Sequence, residues 1–262
     1  MFVFYYAKMP VPKSHPRYLS LITRDKIVEG VKAGITSEHG LIAHGRGEAF
    51  DYLLGEKTND FAEDSIDAAC ALLLTAKHPV ISVNGNVAAL VPDEIVKLSK
   101  AIPAKLEVNI FHESSAREKK IKEHLTKHGA DEVLLPIHDE KFAIKYLEHN
   151  RRFVNPDGIF KADVVFVPLE DGDRCEALIR SGKKVITVDL NPMSRTAKNA
   201  TITIVDNIVR AVPYLISTII RFKKTKSQKH LRAILKQYHN KKMLAKSIQS
   251  INTSKSPSNP SL

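Results

Sequence analysis

Along residues 40–206, short apolar and β-branched runs alternate with stretches whose apolar positions recur every three or four residues. The runs at 40–43, 80–83, 105–111, 132–135, 163–168, 184–189 and 201–205 predict β-strands, because a strand covered on both faces reads as near-continuous Val, Ile and Leu. Between them, Ile95, Val96, Leu98 and Ile102 predict a helix over 93–101, and Ile121 and Leu125 predict one over 117–129 that stops at Gly129. Ala177, Leu178 and Ile179 predict another over 173–182, stopped by Gly182. Strand-to-strand spacings of about 20 to 30 residues suit a strand–helix–strand unit, so neighbouring strands should run parallel beneath helices. Two more helices are predicted. One, at 16–34, puts Leu19, Leu21, Ile22, Ile27, Val28 and Val31 on one face behind Ser14-His15-Pro16; the other, at 66–77, is Ala-rich and nearly all apolar. The expected fold class is α/β, a mostly parallel sheet flanked by helices with an N-terminal helical segment.

After residue 220 the pattern changes. The chain becomes Lys-rich and ends in Asn-Thr-Ser-Lys-Ser-Pro-Ser-Asn-Pro-Ser-Leu, too poor in apolar residues to order itself. This suggests one domain at 1–220 and a basic, helical or disordered tail at 221–262, read as a solvated helix with a frayed end. Charge follows the same boundary. The chain carries 40 Lys+Arg against 29 Asp+Glu, a formal +11; residues 221–262 hold 11 of the basic residues and no acid, and 40 − 11 leaves 29 against 29 in the body. A neutral body, and a tail with no recognisable nucleic-acid module, argue against a nucleic-acid partner. Cys70 and Cys175 stand far apart without neighbouring cysteines, which suits small apolar residues in a reducing compartment. No apolar run approaches the ~20 residues of a membrane span, and the start lacks the basic region of a signal peptide. The expectation is a cytoplasmic protein without a membrane partner, translated from Met1 or Met9.

In an open parallel sheet, ligands bind where the loops after the strands and the helix N-termini converge. Those positions hold His44-Gly45-Arg46-Gly47-Glu48, Asn84-Gly85-Asn86, Leu169-Glu170-Asp171-Gly172-Asp173-Arg174, Asp189-Leu190-Asn191-Pro192-Met193-Ser194-Arg195-Thr196 and Asp206-Asn207. Asp189 stands at a strand end, where doubly wound folds place an acceptor for a nucleotide ribose; the alternative is an Asp that caps the next turn. Neither a Gly-x-Gly-x-x-Gly fingerprint nor a Walker loop is present, so a bound phosphate needs side chains as well as backbone amides. Arg46, between two glycines, and Arg195, beside Thr196, offer planar paired donors. Arg17 and Arg24 share a face of the first predicted helix, and for each arginine a surface ion pair is the alternative. Glu170 and Asp171 suit Mg²⁺ at a phosphate site, or else pair with Arg174 and nearby lysines. His44 is a candidate acid, base or donor. No Ser-His-Asp arrangement, CxxC pair or His-rich metal spacing can be placed, which weakens hydrolase and zinc-enzyme readings.

Five segments carry a resemblance: Pro12-Lys-Ser-His-Pro-Arg-Tyr18; Gly40-Leu-Ile-Ala-His-Gly-Arg-Gly-Glu-Ala-Phe-Asp-Tyr-Leu-Leu-Gly-Glu56; Pro79-Val-Ile-Ser-Val-Asn-Gly-Asn-Val-Ala-Ala-Leu90; Ala162-Asp-Val-Val-Phe-Val-Pro-Leu-Glu-Asp-Gly-Asp-Arg174; and Val188-Asp-Leu-Asn-Pro-Met-Ser-Arg-Thr-Ala197. In this order they resemble the archaeal phosphopantothenate synthetases, or 4-phosphopantoate–β-alanine ligases. The resemblance implies a Rossmann-like homodimer that joins the carboxylate of 4-phosphopantoate to the amine of β-alanine in coenzyme A biosynthesis, converting ATP to AMP and diphosphate. It further implies that ATP is held by residues matching Arg24, Arg46, Asp189, Leu190, Asn191, Arg195, Thr196, Asn207 and Ile208, with Mg²⁺ as its companion. Arg17, His44 and Asn84 lie in matching motifs and are expected on the phosphopantoate side or in catalysis. Residues 137–149 lack a Pro-Gly segment of the family pattern. Two other classes compete: a nicotinamide-dependent oxidoreductase, which the missing glycine fingerprint opposes, and a nucleic-acid-binding protein using the Lys-rich tail.

Overall fold

Parallel strands need crossovers that return along the same face, and this chain supplies them with helices. The computed structural model describes residues 11–111 and 114–253; the two candidate start sites and the last nine residues lie outside them. Strands β1 (Pro79–Val83), β2 (Lys105–Val108), β3 (Val133–Leu134), β4 (Val164–Phe166), β5 (Lys184–Val188) and β6 (Ile202–Ile204) form one sheet in the order β3-β2-β1-β4-β5-β6. All pairings are parallel, with Ile81 opposite both Leu106 and Phe166 and Val188 opposite Ile204. The strands correspond to the six apolar runs predicted between 80 and 205; β1 starts one residue earlier than its run and the other five are shortened.

Side chains of alternate parity divide between two layers. Ile81, Val83, Val164, Phe166, Ile186, Val188, Ile202 and Ile204 join the larger core, with α3 (Asp60–Thr75), α5 (Pro92–Ala101), α6 (Ser115–Lys127) and α9 (Ile208–Thr225). Val80, Val165, Val167 and Val185 face the smaller core, covered by α7 (Gly172–Arg180) and by residues 144–162. That connection from β3 to β4 contains no α-helix. The buried carboxylate of Glu107 on β2 holds it, accepting N–H bonds from Asn155 at 2.9 Å and Ile159 at 2.6 Å. Burial raises the Glu107 pKa to about 7, against the pull of these two bonds. Gly158 is required here, since a Cβ would stand 2.0 Å from Glu107 Oε2.

Two expectations need correction. Residues 40–43 are not a strand but part of α2 (Glu38–Leu53), which follows α1 (Tyr18–Lys32). Of the Leu41-Ile42 pair only Leu41 packs against the main core, while Ile42 is 70% exposed. Gly40 is in the first turn of α2 because the helix presses on Asn86: an added Cβ would lie 2.3 Å from Asn86 Oδ1. Ser14 does not cap α1 either. The chain turns through 12–18, with His15 Nδ1 accepting from the Arg17 amide at 3.0 Å.

The basic segment is also better seated than a solvated helix. Residue 220 lies inside α9, and α10 (Gln228–Gln237) and α11 (Asn240–Thr253) bury Leu231, Met243, Leu244 and Ile251 in the main core. Asn240 accepts from the Thr203 amide at 2.8 Å and donates to the Ala197 and Ala200 carbonyls. The lysines occupy the outer faces of amphipathic helices. Leu231→Ala should therefore cost about 2–5 kcal/mol in urea unfolding, whereas Lys229→Ala on the same helix should change stability little. Equal effects would contradict this packing.

Candidate active site

The strand order reverses between β1 and β4, and the crevice at such a switch is where polar groups from different crossovers meet. Two cavities adjoin there. The first, about 460 Å³, opens at the ends of β4, β5 and β6; it is lined by His44, Arg46 and Phe50 of α2, by Leu169–Gly172, and by Asp189, Leu190, Asn191, Ser194, Arg195, Thr196, Asn207 and Ile208. The second, about 360 Å³, lies beyond β1 and β2 and is lined by Ser37, His39, Asn84, Gly85, Ile110, Arg117 and Arg151 among others. Ala43, Arg46, Asn86, Leu169, Glu170 and Asp171 line both.

The first cavity collects eight of the nine residues expected to hold a nucleotide, and the structure shows what shapes each. Asp189 caps its own turn, accepting from the Asn191 amide at 2.9 Å and from Ser194 Oγ. It also lines the cavity, so the two alternatives for it coincide. Burial raises its pKa, while Ser194, Asn191 and Arg46 work in the other direction. Ser194 caps α8 (Arg195–Asn199), and Thr196 donates to the Glu170 carbonyl at 2.8 Å. Arg195 pairs with Asp173 at 2.7 Å and Glu176 at 3.2 Å, all three groups being exposed. Asn207 caps α9 through Oδ1 and donates to Asp51 at 2.8 Å, and Asp51 in turn pairs with Arg210. Arg46 projects from the helix α2 rather than from the loop expected for it.

Arg24 is not brought there. It lies on α1 over α2, paired with Glu48 at 2.9 Å and bonded to the Tyr52 hydroxyl, which Arg17 also reaches. Arg17 instead lines a small cavity of about 80 Å³ that shares His44 and Asn207 with the first. His44 has a buried Nε2 without a hydrogen-bond partner among the described residues, and burial lowers its pKa, which keeps the imidazole neutral near pH 7. Asn84 caps α4 (Gly85–Leu90) and donates to the Pro168 and Leu169 carbonyls, tying the end of β4 to that of β1.

Glu170 and Asp171 do not fit Mg²⁺. The carboxylate of Glu170, buried at the end of β4, is shared by Arg151 and Arg174, and Asp171 Oδ2 pairs with Arg151 while Oδ1 caps α7. Their oxygens are already committed to guanidiniums and amides, and no group of three potential metal-binding side chains occurs among the described residues. Arg151 bonds Asn109 as well, at 2.8 Å. Sequence reasoning missed Arg151 and Arg117. The first comes from an irregular segment; the second opens α6, the helix that follows β2, and was not among the strand-end residues singled out from the sequence.

A Rossmann-like α/β protein with a nucleotide-sized cavity and a second, cationic one beside it has the layout of a two-substrate enzyme. Residues 61–254 match the family model described as phosphopantothenate/pantothenate synthetase, and the chain belongs to that family. Over 235 residues it is 56% identical to the 4-phosphopantoate–β-alanine ligase of Thermococcus kodakarensis, covering 90% of this chain and 89% of the relative. The enzyme of the same name from Thermococcus onnurineus is 56% identical over 89% of both chains. That of Methanosarcina mazei is 51% identical over 92% of this chain and 94% of its own.

Removing one partner of a buried pair leaves the other charge uncompensated, so Glu170→Ala should cost about 3–5 kcal/mol in urea unfolding. The exposed Asp173→Ala should cost far less. A near-neutral Glu170→Ala would show that Arg151 and Arg174 find other partners.

Proposed function

We propose that the chain condenses 4-phosphopantoate with β-alanine to form 4′-phosphopantothenate, using ATP and releasing AMP and diphosphate, as a step of coenzyme A biosynthesis. The observation that carries this reading is the pair of cavities meeting at Arg46. A carboxylate resists attack by an amine until it acquires a leaving group. The carboxylate oxygen attacks the α-phosphorus of ATP and diphosphate departs; the β-alanine nitrogen then attacks the carbonyl carbon, AMP departs, and the nitrogen loses its proton as the amide forms. Both substrates of the first step are anions, so their approach needs cations at the shared wall and excluded water.

In this reading ATP occupies the first cavity. Phe50, Leu190 and Ile208 supply apolar surface for the base, and Asp189 has lone pairs left for the ribose. Arg46 and Arg195 hold phosphate oxygens, joined by N–H groups of the helix N-terminus at Gly172. 4-Phosphopantoate occupies the second cavity, its carboxylate towards Arg46 and Asn86, with Asn84 keeping the wall between the ligands in place. Mg²⁺ accompanies the nucleotide, and no carboxylate of this chain is assigned to it. Arg17 and Arg24 are given no ATP contact within one chain.

We also infer a homodimer: α1 and α2 carry Leu19, Val28, Ile42 and Tyr52, four of the ten large apolar side chains exposed among the described residues. None of the helices is long and apolar enough to cross a membrane among the described residues, and ATP as substrate suits the cytoplasm.

Incubation with ATP, Mg²⁺, 4-phosphopantoate and β-alanine should give AMP and 4′-phosphopantothenate. ADP in place of AMP would exclude the adenylate. Arg46→Ala should raise KM for ATP and lower kcat/KM by about ten- to a hundredfold; unchanged kinetics would remove Arg46 from the phosphate site.

A further inference from the structure

We infer that Arg117, supported by Lys120, binds the 4-phosphoryl group and so selects the phosphorylated acid over pantoate. This rests on the reading above and deepens it. The substrate carries its phosphoryl group at the opposite end from the reacting carboxylate. If the carboxylate lies at the wall shared with the ATP cavity, the phosphoryl group must lie at the far side of the second cavity.

That far side is a built, cationic place. The start of α4 is pressed against the segment that leads into α2, for a Cβ on Gly85 would stand 2.6 Å from the Ile35 carbonyl oxygen. Thr36 Oγ1 donates to Asn86 Oδ1 at 2.5 Å, and Asn86 Nδ2 donates to the Gly40 carbonyl at 3.0 Å. Arg117, in the first turn of α6, faces this junction, and its side chain makes no hydrogen bond or ion pair with the described residues. Beyond it, a further cavity of about 470 Å³ is lined by Ser37, His39, Arg117 and Lys120, with Glu38 as its one carboxylate among the described residues. The other carboxylates of the second cavity, Glu170 and Asp171, are neutralised by Arg151 and Arg174. A dianion therefore meets two uncommitted cations, with the backbone amides that open α2 and α6 beside them. Nothing comparable favours an uncharged hydroxymethyl end, which would leave those cations without an anion.

Kinetics with both acids test this. Arg117→Gln should raise KM for 4-phosphopantoate by about ten- to a hundredfold, leave KM for ATP unchanged, and reduce the preference for 4-phosphopantoate over pantoate. Inorganic phosphate should compete with 4-phosphopantoate in the wild type and lose that effect in the variant. Arg117→Lys should recover part of the affinity. If the wild type ligates 4-phosphopantoate but the Arg117→Gln/Lys120→Gln double variant keeps its KM and its preference, the phosphoryl assignment fails and the ligase reading stands. If the wild type yields no product from either acid, both fail together.

Discussion

The site hangs on one carboxylate, Glu170, held dry at the end of β4 where the strand order reverses. Charge cannot stay there unpaired. Arg174 meets it from α7 and Arg151 from the connection between β3 and β4, while Thr196 at the start of α8 binds its carbonyl oxygen. Three separate crossovers are thereby tied to one residue. Asn84 adds a fourth tie, from the end of β1 to the Pro168 and Leu169 carbonyls. The partition between the two cavities is consequently stiff, although it is built from loops. A stiff partition is what two mutually repelling anions need if they are to be held in reach of each other.

The sheet was legible because parallel strands are buried on both faces and write themselves as unbroken apolar runs. Runs such as Val80–Val83 and Lys184–Val188 needed no tertiary context. The glycine-rich stretch around Arg46 was not legible. Its apolar pair, Leu41 and Ile42, imitates a strand, and its glycines imitate a loop, yet Gly40 is there for the close approach of Asn86 to a helix. In the basic segment, lysines hid an amphipathic pattern: Leu231, Ile234 and Leu235 recur at helical spacing and turn towards the core. The strand-end loops pointed to most of the first cavity because they follow strands in sequence. Arg151 reaches the second cavity by the folding of a remote irregular segment, which no local pattern records; Arg117 opens the helix after β2, where the rule for strand ends applied to it as well.

The arginines divide into two kinds, and the division explains how a neutral body can serve anionic ligands. Arg151 and Arg174 are buried and paired with the buried Glu170 carboxylate; exchanging that partner for a ligand would mean uncovering Glu170, which low-dielectric surroundings make expensive. They are framework. Arg195 also has two carboxylate partners, but it is 64% exposed and so are they in good part. Exposed pairs of this sort contribute little and are screened by salt. In the proposed ligase, a polyphosphate offering several oxygens at once would outcompete them, so Arg195 would leave Asp173 and Glu176 at little cost to ligand affinity. The number of cations near a site is therefore a poor guide to its capacity for anions. What counts is how many can leave their present partners cheaply, and in this crevice those are Arg46, Arg195 and Arg117.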